Sequence, residues 1–264
     1  MSASLVPAWP GALHPFLVGD GALEESSSGV RLRIPPTGGR KYADAQLDDY
    51  HGLRRGAFPW RPPLQLSVRA RTSCDVRDIG GTAGFGFWND PFTLTGGTVL
   101  AAPRAVWFFG AAPPNDMVLV TDVPGRGWKA AVLDGGRLPS VVLAPAAAAA
   151  IALTKIPGLG APIMRVARRA VNAAEALLDA SMDDWHTYAL EWHAAGTRFF
   201  VDGRKVLESN VSPRGPLGFV AWIDNQYAIV SESGIFKFGL VECAQARWLE
   251  LDDLRVERLQ DDLK

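Results

Sequence analysis

The sequence predicts a mostly β protein, a sandwich of strands with a helical insertion at about 145–183. Three observations predict it. Leu64, Leu66, Val68 and Ala70 alternate with Gln65, Ser67, Arg69 and Arg71, the period-two signature of a half-buried strand. Asp202-Gly203 lies between Phe199-Phe200-Val201 and Lys205-Val206-Leu207, and such a pair supplies the positive φ of a tight hairpin turn. Strand-like runs are separated by Gly/Pro-rich turns without alternating helices, which favours a sandwich over a doubly wound sheet.

The remaining strands follow from the same pattern. Tyr188, Leu190 and Trp192 alternate with Thr187, Ala189 and Glu191, and the runs 217–229 and 248–256 supply further strands. One stretch departs from it. An alanine run at 146–150 precedes Pro157-Gly158, and in 161–181 Ile163, Val166, Ala167, Ala170, Val171, Ala174, Leu177 and Leu178 form an apolar stripe at helical spacing. We read this stretch as a helical hairpin inserted between two strands. About 35 residues cannot bury a core of their own, so residues 1–264 are read as one domain.

Composition narrows the partners. The chain has 264 residues, 48% hydrophobic and 21% charged, enough to bury a sizeable core. A net charge of −1 provides no field for nucleic acid. No apolar run reaches the length of a membrane span. The N-terminus has no basic region followed by an apolar core, and Pro7, Pro10 and Pro15 interrupt it, so the expected location is cytoplasmic. Cys74 and Cys243 lack metal-ligand spacing and are expected as free thiols, with a single bridge as the alternative. The four histidines form no metal-binding motif, and no phosphate cradle or dinucleotide fingerprint is present. No metal and no cofactor is expected. The oligomeric state is not set by the sequence.

Two phrases carry a resemblance: Trp185-His186-Thr187-Tyr188-Ala189-Leu190-Glu191-Trp192, and Phe200-Val201-Asp202-Gly203. Together they resemble the concanavalin A-like lectin/glucanase superfamily, and especially family 16 glycoside hydrolases. The resemblance implies two antiparallel sheets stacked as a jelly roll that holds its ligand across a concave sheet. It also implies a catalytic strand with carboxylates at alternate positions, following a phrase matched here by Gly84-Phe85-Gly86-Phe87-Trp88. A retaining glycosidase needs two carboxyl groups about 5–5.5 Å apart. The next strand here reads Arg104-Ala105-Val106-Trp107-Phe108-Phe109-Gly110 and offers no carboxylate, so no catalytic residue is transferred.

Relocated chemistry has three candidates. Asp90 follows Trp88-Asn89, and Asp224 with Tyr227 would form an acid/base pair. Trp88, Trp107, Phe109 and Trp222 are the expected ligand-binding residues, because period-two spacing places Trp107 with Phe109 and Trp222 with Asp224 on one face. Asp44, Asp48, Asp49, Tyr50 and His51 form a polar stretch with no assigned place. Two functions fit. The protein binds or acts non-canonically on a carbohydrate without the standard retaining pair. Alternatively, it is an enzyme or carrier for an apolar small metabolite (a lipid, terpenoid or polyketide) in a hydrophobic cleft under the helical insertion. The ligand is thus an oligosaccharide or another small molecule, and whether the protein is an enzyme stays open.

Overall fold

A computed structural model describes residues 9, 12–25, 29–91, 101–136, 161–162, 171–231 and 235–260. Among them, strands build two seven-stranded antiparallel sheets and one small sheet. In order across the first, sheet A, lie β1 (His14–Val18), β4 (Asp44–Asp48), β14 (Gly218–Asp224) and β6 (Thr82–Trp88). It continues with β7 (Arg104–Ala111), β9 (Gly127–Asp134) and β10 (Asn172–Leu177). Sheet B runs β13 (Arg204–Ser209), β12 (Gly196–Val201), β11 (His186–His193) and β5 (Leu64–Thr72), then β17 (Arg247–Arg258), β3 (Gly29–Ile34) and β2 (Ala22–Glu25). The small sheet holds β16 (Phe236–Leu240), β15 (Gln226–Val230) and β8 (Asp116–Met117).

The alternation read from sequence decides which side chains meet. Leu66, Val68, Tyr188, Leu190 and Trp192 of sheet B face Leu47, Phe85, Phe87, Phe108 and Phe219 of sheet A in one buried cluster. Phe108 meets Tyr188 at 5.0 Å between ring centroids and Phe199 at 5.4 Å. The Trp128 indole N–H donates to the Tyr188 hydroxyl at 3.1 Å, so these two polar groups are paired within the core. Each such side chain contributes about 1.5–3 kcal/mol by leaving water. The hairpin turn also forms as expected, with Asp202 at φ 50° and Gly203 at φ 75°.

The helical insertion needs correction. Residues 172–177 are strand β10, paired antiparallel with β9 from Asn172 opposite Asp134 to Leu177 opposite Lys129. Tertiary pairing overrides alanine's helix propensity here. Glu175 is buried and binds Lys129 of the neighbouring strand at 2.7 Å, and Leu178 enters the core. Of the rest of the expected hairpin, 145–160 and 163–170 lie outside the described residues. Cys74 and Cys243 are free thiols, and Cys243 is buried. No helix among the described residues is long and apolar enough to cross a membrane.

Candidate functional site

The face of sheet A turned away from the core carries the predicted aromatics. Register fixes this. Trp222 on β14 lies opposite Gly84 on β6, and Gly84 lies opposite Phe109 on β7. One row along, Gly86 lies opposite Trp107, and Trp88 opposite Ala105. Ala105, Trp107 and Phe109 therefore point outward, while Val106 and Phe108 point into the core.

Glycine makes room for the rings. A Cβ at Gly84 would stand 2.7 Å from Trp222 Cη2, and one at Gly86 would stand 2.5 Å from Trp107 Cα. Over this trough Trp107 stacks on Phe109 at 5.5 Å and reaches Trp222 at 5.3 Å and Trp88 at 5.9 Å. The four predicted binding residues form one cluster. Trp88 and Trp222 are each only 8% exposed, whereas Trp107 and Phe109 are half-buried.

The indole N–H groups differ in a way that sorts these tryptophans. Trp88 Nε1 donates to the Tyr50 hydroxyl at 2.5 Å, and Trp222 Nε1 donates to Thr82 Oγ1 at 2.9 Å. Trp107 Nε1 is buried and has no hydrogen-bond partner among the described residues. Two rings are thus anchored. The central one keeps a donor in reserve.

Acids flank the aromatic strip on one side. Asp44, Gln46 and Asp48 of β4 lie opposite Asp224, Trp222 and Val220 of β14, so they share its outer face. Asp224 Oδ1 accepts from Thr82 Oγ1 at 2.8 Å and from the amides of Thr82 and Gln226 at 3.1 Å each. Burial nevertheless pushes its carboxyl up to about 7, against the opposing pull of those donors. Burial first, and the charge of Asp224 second, hold Asp44 well above the ordinary carboxylate range, while its bond with the Tyr42 side chain works the other way. Asp44 Oδ1 is buried without a partner among the described residues. The pair is two opposed buried carboxyls, of which burial and repulsion favour protonating at least one. On the other side of the strip, the buried Lys129 ammonium is fully engaged by Glu175 at 2.7 Å, the Pro124 carbonyl at 3.1 Å and the Met117 carbonyl at 3.4 Å.

The three weak catalytic candidates are not brought together. Asp224 closes β14 on the outer face of sheet A, whereas Tyr227 belongs to β15 in the small sheet, where Lys237 lies over its ring at 5.8 Å. The phenol electrostatically coupled to Asp224 is Tyr42. Asp90 is buried just past β6 at φ 41°, and its carbonyl accepts from Arg55 Nη2 at 2.6 Å. Sequence reading missed Tyr42, Asp44, Gln46, Asp48 and Tyr50 as face residues. The signal was present: Ala43, Ala45 and Leu47 alternate with Asp44, Gln46 and Asp48, a strand whose outward positions are polar. Among the described residues no group of three potential ligands gathers as a metal site.

With this geometry the fold can be compared with known structures. No protein-family model matches the chain, and no curated protein matches it. A structure from work on endo-acting O-glycanases, which members of the human gut microbiota express to initiate mucin breakdown, aligns over 98% of this chain and 96% of its own, at TM-score 0.52 and 12% identity. A Bacillus licheniformis β-glucanase aligns over 90% and 82% at TM-score 0.47 and 11% identity. LamAcat from Zobellia galactanivorans aligns over 87% and 77% at TM-score 0.45 and 11% identity. The chain shares its two-sheet β-sandwich fold with the first of these structures. At these identities the likeness extends to architecture and stops there.

Proposed function

We propose that the outer face of sheet A binds a carbohydrate, or acts on one without the carboxylate-bearing strand of standard retaining glycosidases. The observation that carries this reading is Trp107: a half-buried ring at the centre of an aromatic strip, with a buried indole N–H that lacks an acceptor. A sugar ring presents an apolar face for stacking and hydroxyl oxygens at its edge, and supplies both needs at once. The glycan-active enzymes among the structures of this fold support the class of ligand without fixing its identity.

A second reading rests on a different observation. Tyr50, Phe58, Trp88, Leu133, Val220 and Trp222 form a buried apolar cluster on this face, which favours a flat apolar metabolite. A thermal-shift screen of the purified protein against oligosaccharides and apolar metabolites separates the two, because a ligand of the native state raises the midpoint by mass action. Stabilisation by oligosaccharides, lost in Trp107→Ala, is expected. Stabilisation by apolar compounds alone would replace the first reading with the second.

A further inference from the structure

The Tyr50 hydroxyl occupies an unusual position in the hydrogen-bond network of the aromatic face. It accepts from Trp88 Nε1 at 2.5 Å and from Gln46 Nε2 at 3.3 Å. The orientation of the Gln46 amide is fixed independently, because the same Nε2 donates to Asp48 Oδ2 at 2.9 Å. Turning the amide over would set its carbonyl oxygen against that carboxylate. Asp48 is itself held in place by the Tyr50 backbone N–H at 3.2 Å. A phenol oxygen has two acceptor sites and one proton to give. Both acceptor sites are filled, and among the described residues no acceptor takes the proton.

The ring is placed as firmly as the oxygen. Tyr50 is 1% exposed, packs on Phe58 at 4.8 Å and meets the edge of Trp88 at 6.4 Å. It fills the space above Gly218, where a Cβ would collide with its ring. An ordered, buried donor without an acceptor is costly unless something else completes it.

We infer that Tyr50 is a specificity-determining hydrogen-bond donor of the sheet A site, directed at an acceptor oxygen of the ligand. Together with Trp107 Nε1 it makes a face with two unanswered donors. Such a face selects ligands that present acceptor oxygens, such as the hydroxyl, ether or carbonyl oxygens of a glycan. It discriminates against analogues lacking one, because the buried donor is then left unpaired. Burial first, then the charges of Asp48 and Asp90, keep the phenol protonated, and the Trp88 N–H opposes them only in part. Tyr50 is therefore a donor and not a proton-transfer acid at neutral pH. The Gln46–Asp48 pair acts through it as a positioning element.

This inference rests on the carbohydrate reading, and the test keeps the two apart. The probe is the neutral oligosaccharide giving the largest midpoint shift in the thermal-shift panel, together with its single-deoxy analogues. Each is titrated against wild type, Tyr50→Phe, Trp107→Ala and Tyr188→Phe, the last removing a buried hydroxyl in the core. Tyr50→Phe is expected to weaken binding by about tenfold, the worth of one good hydrogen bond. For one deoxy analogue that penalty should vanish. Tyr188→Phe should bind as wild type. A penalty equal for every analogue would mean that Tyr50 only shapes the site, and wild-type affinity in Tyr50→Phe would dismiss it altogether. If Trp107→Ala loses binding in either case, the carbohydrate reading stands without Tyr50. If no oligosaccharide binds wild type, the reading falls and takes the inference with it.

Discussion

Sheets A and B both carry tryptophans on their outer faces, and the two sets have opposite surroundings. On sheet B, Arg69 and Arg71 lie over Trp185 at 4.6 and 4.7 Å, and Arg31 lies over Trp248 at 4.7 Å. Glu250 accepts from Arg71 at 3.0 Å and from Arg31 at 3.3 Å, and Asp252 accepts from Arg69 at 3.2 Å. Each of these cations is matched by a carboxylate and stacks on a ring. On sheet A the rings stack on one another over glycines, and the central indole N–H has no acceptor. The first arrangement neutralises each of its charges internally, although Arg31 Nε has no acceptor among the described residues. The second is complete only with something added. Nine tryptophans in a sequence do not mark a binding site; what surrounds each of them does.

The largest effect expected from this contrast is on stability. Gly86→Ala would place a Cβ against Trp107 and the Val106 carbonyl at a φ of 149°, and should cost roughly 3 kcal/mol in urea unfolding. Ser67→Ala, on the outer face of sheet B, should stay within about 0.5 kcal/mol. Equal losses would mean that the glycine trough has no special packing role.

Acidity gives the next effect. Asp224 holds a proton up to about pH 7 in the native state, whereas its ordinary value is 3.8, and burial raises Asp49 to about 7 as well. Between these values the native state binds more protons than the unfolded chain, so stability falls as pH rises through that window. Unfolding midpoints should decline from pH 5 to pH 7.5, and Asp224→Asn should flatten part of that slope. A slope unchanged in Asp224→Asn would show that Asp224 is ionised throughout.

The parts of this contrast that were legible in the sequence, and the parts that were not, have separate physical causes. Sheet B was legible because one face is apolar and the other charged, as in Leu66, Val68 and Ala70 against Ser67, Arg69 and Arg71. Trp107 with Phe109, and Trp222 with Asp224, were each legible as sharing a face for the same reason of period. Strand β10 was hidden because Ala173, Ala174 and Ala176 favour a helix when isolated, and only pairing with β9 and the bond from Glu175 to Lys129 make a strand of them. Strand β4 was not placed because its outward residues, Asp44, Gln46 and Asp48, are polar groups that the fold buries, and polarity alone does not mark a buried strand. Gln46 Nε2 donates to Asp48 Oδ2 and to the Tyr50 hydroxyl, and Asp48 Oδ1 accepts from the Tyr50 amide, so their burial depends on a tyrosine beyond the strand's end.

A smaller effect tests the sheet B half. Arg71→Ala removes two ring contacts and the bonds to Glu250, and should cost about 1 kcal/mol, less at high salt. It should leave ligand affinity unchanged. A loss of affinity in Arg71→Ala would move the site to the other sheet.

The most direct measurement is a calorimetric titration of the best-stabilising oligosaccharide into wild type, Trp107→Ala and Trp185→Ala. The account predicts binding that falls at least about tenfold in Trp107→Ala and is unaltered in Trp185→Ala. Wild-type affinity in Trp107→Ala, in a variant that folds normally, would contradict it.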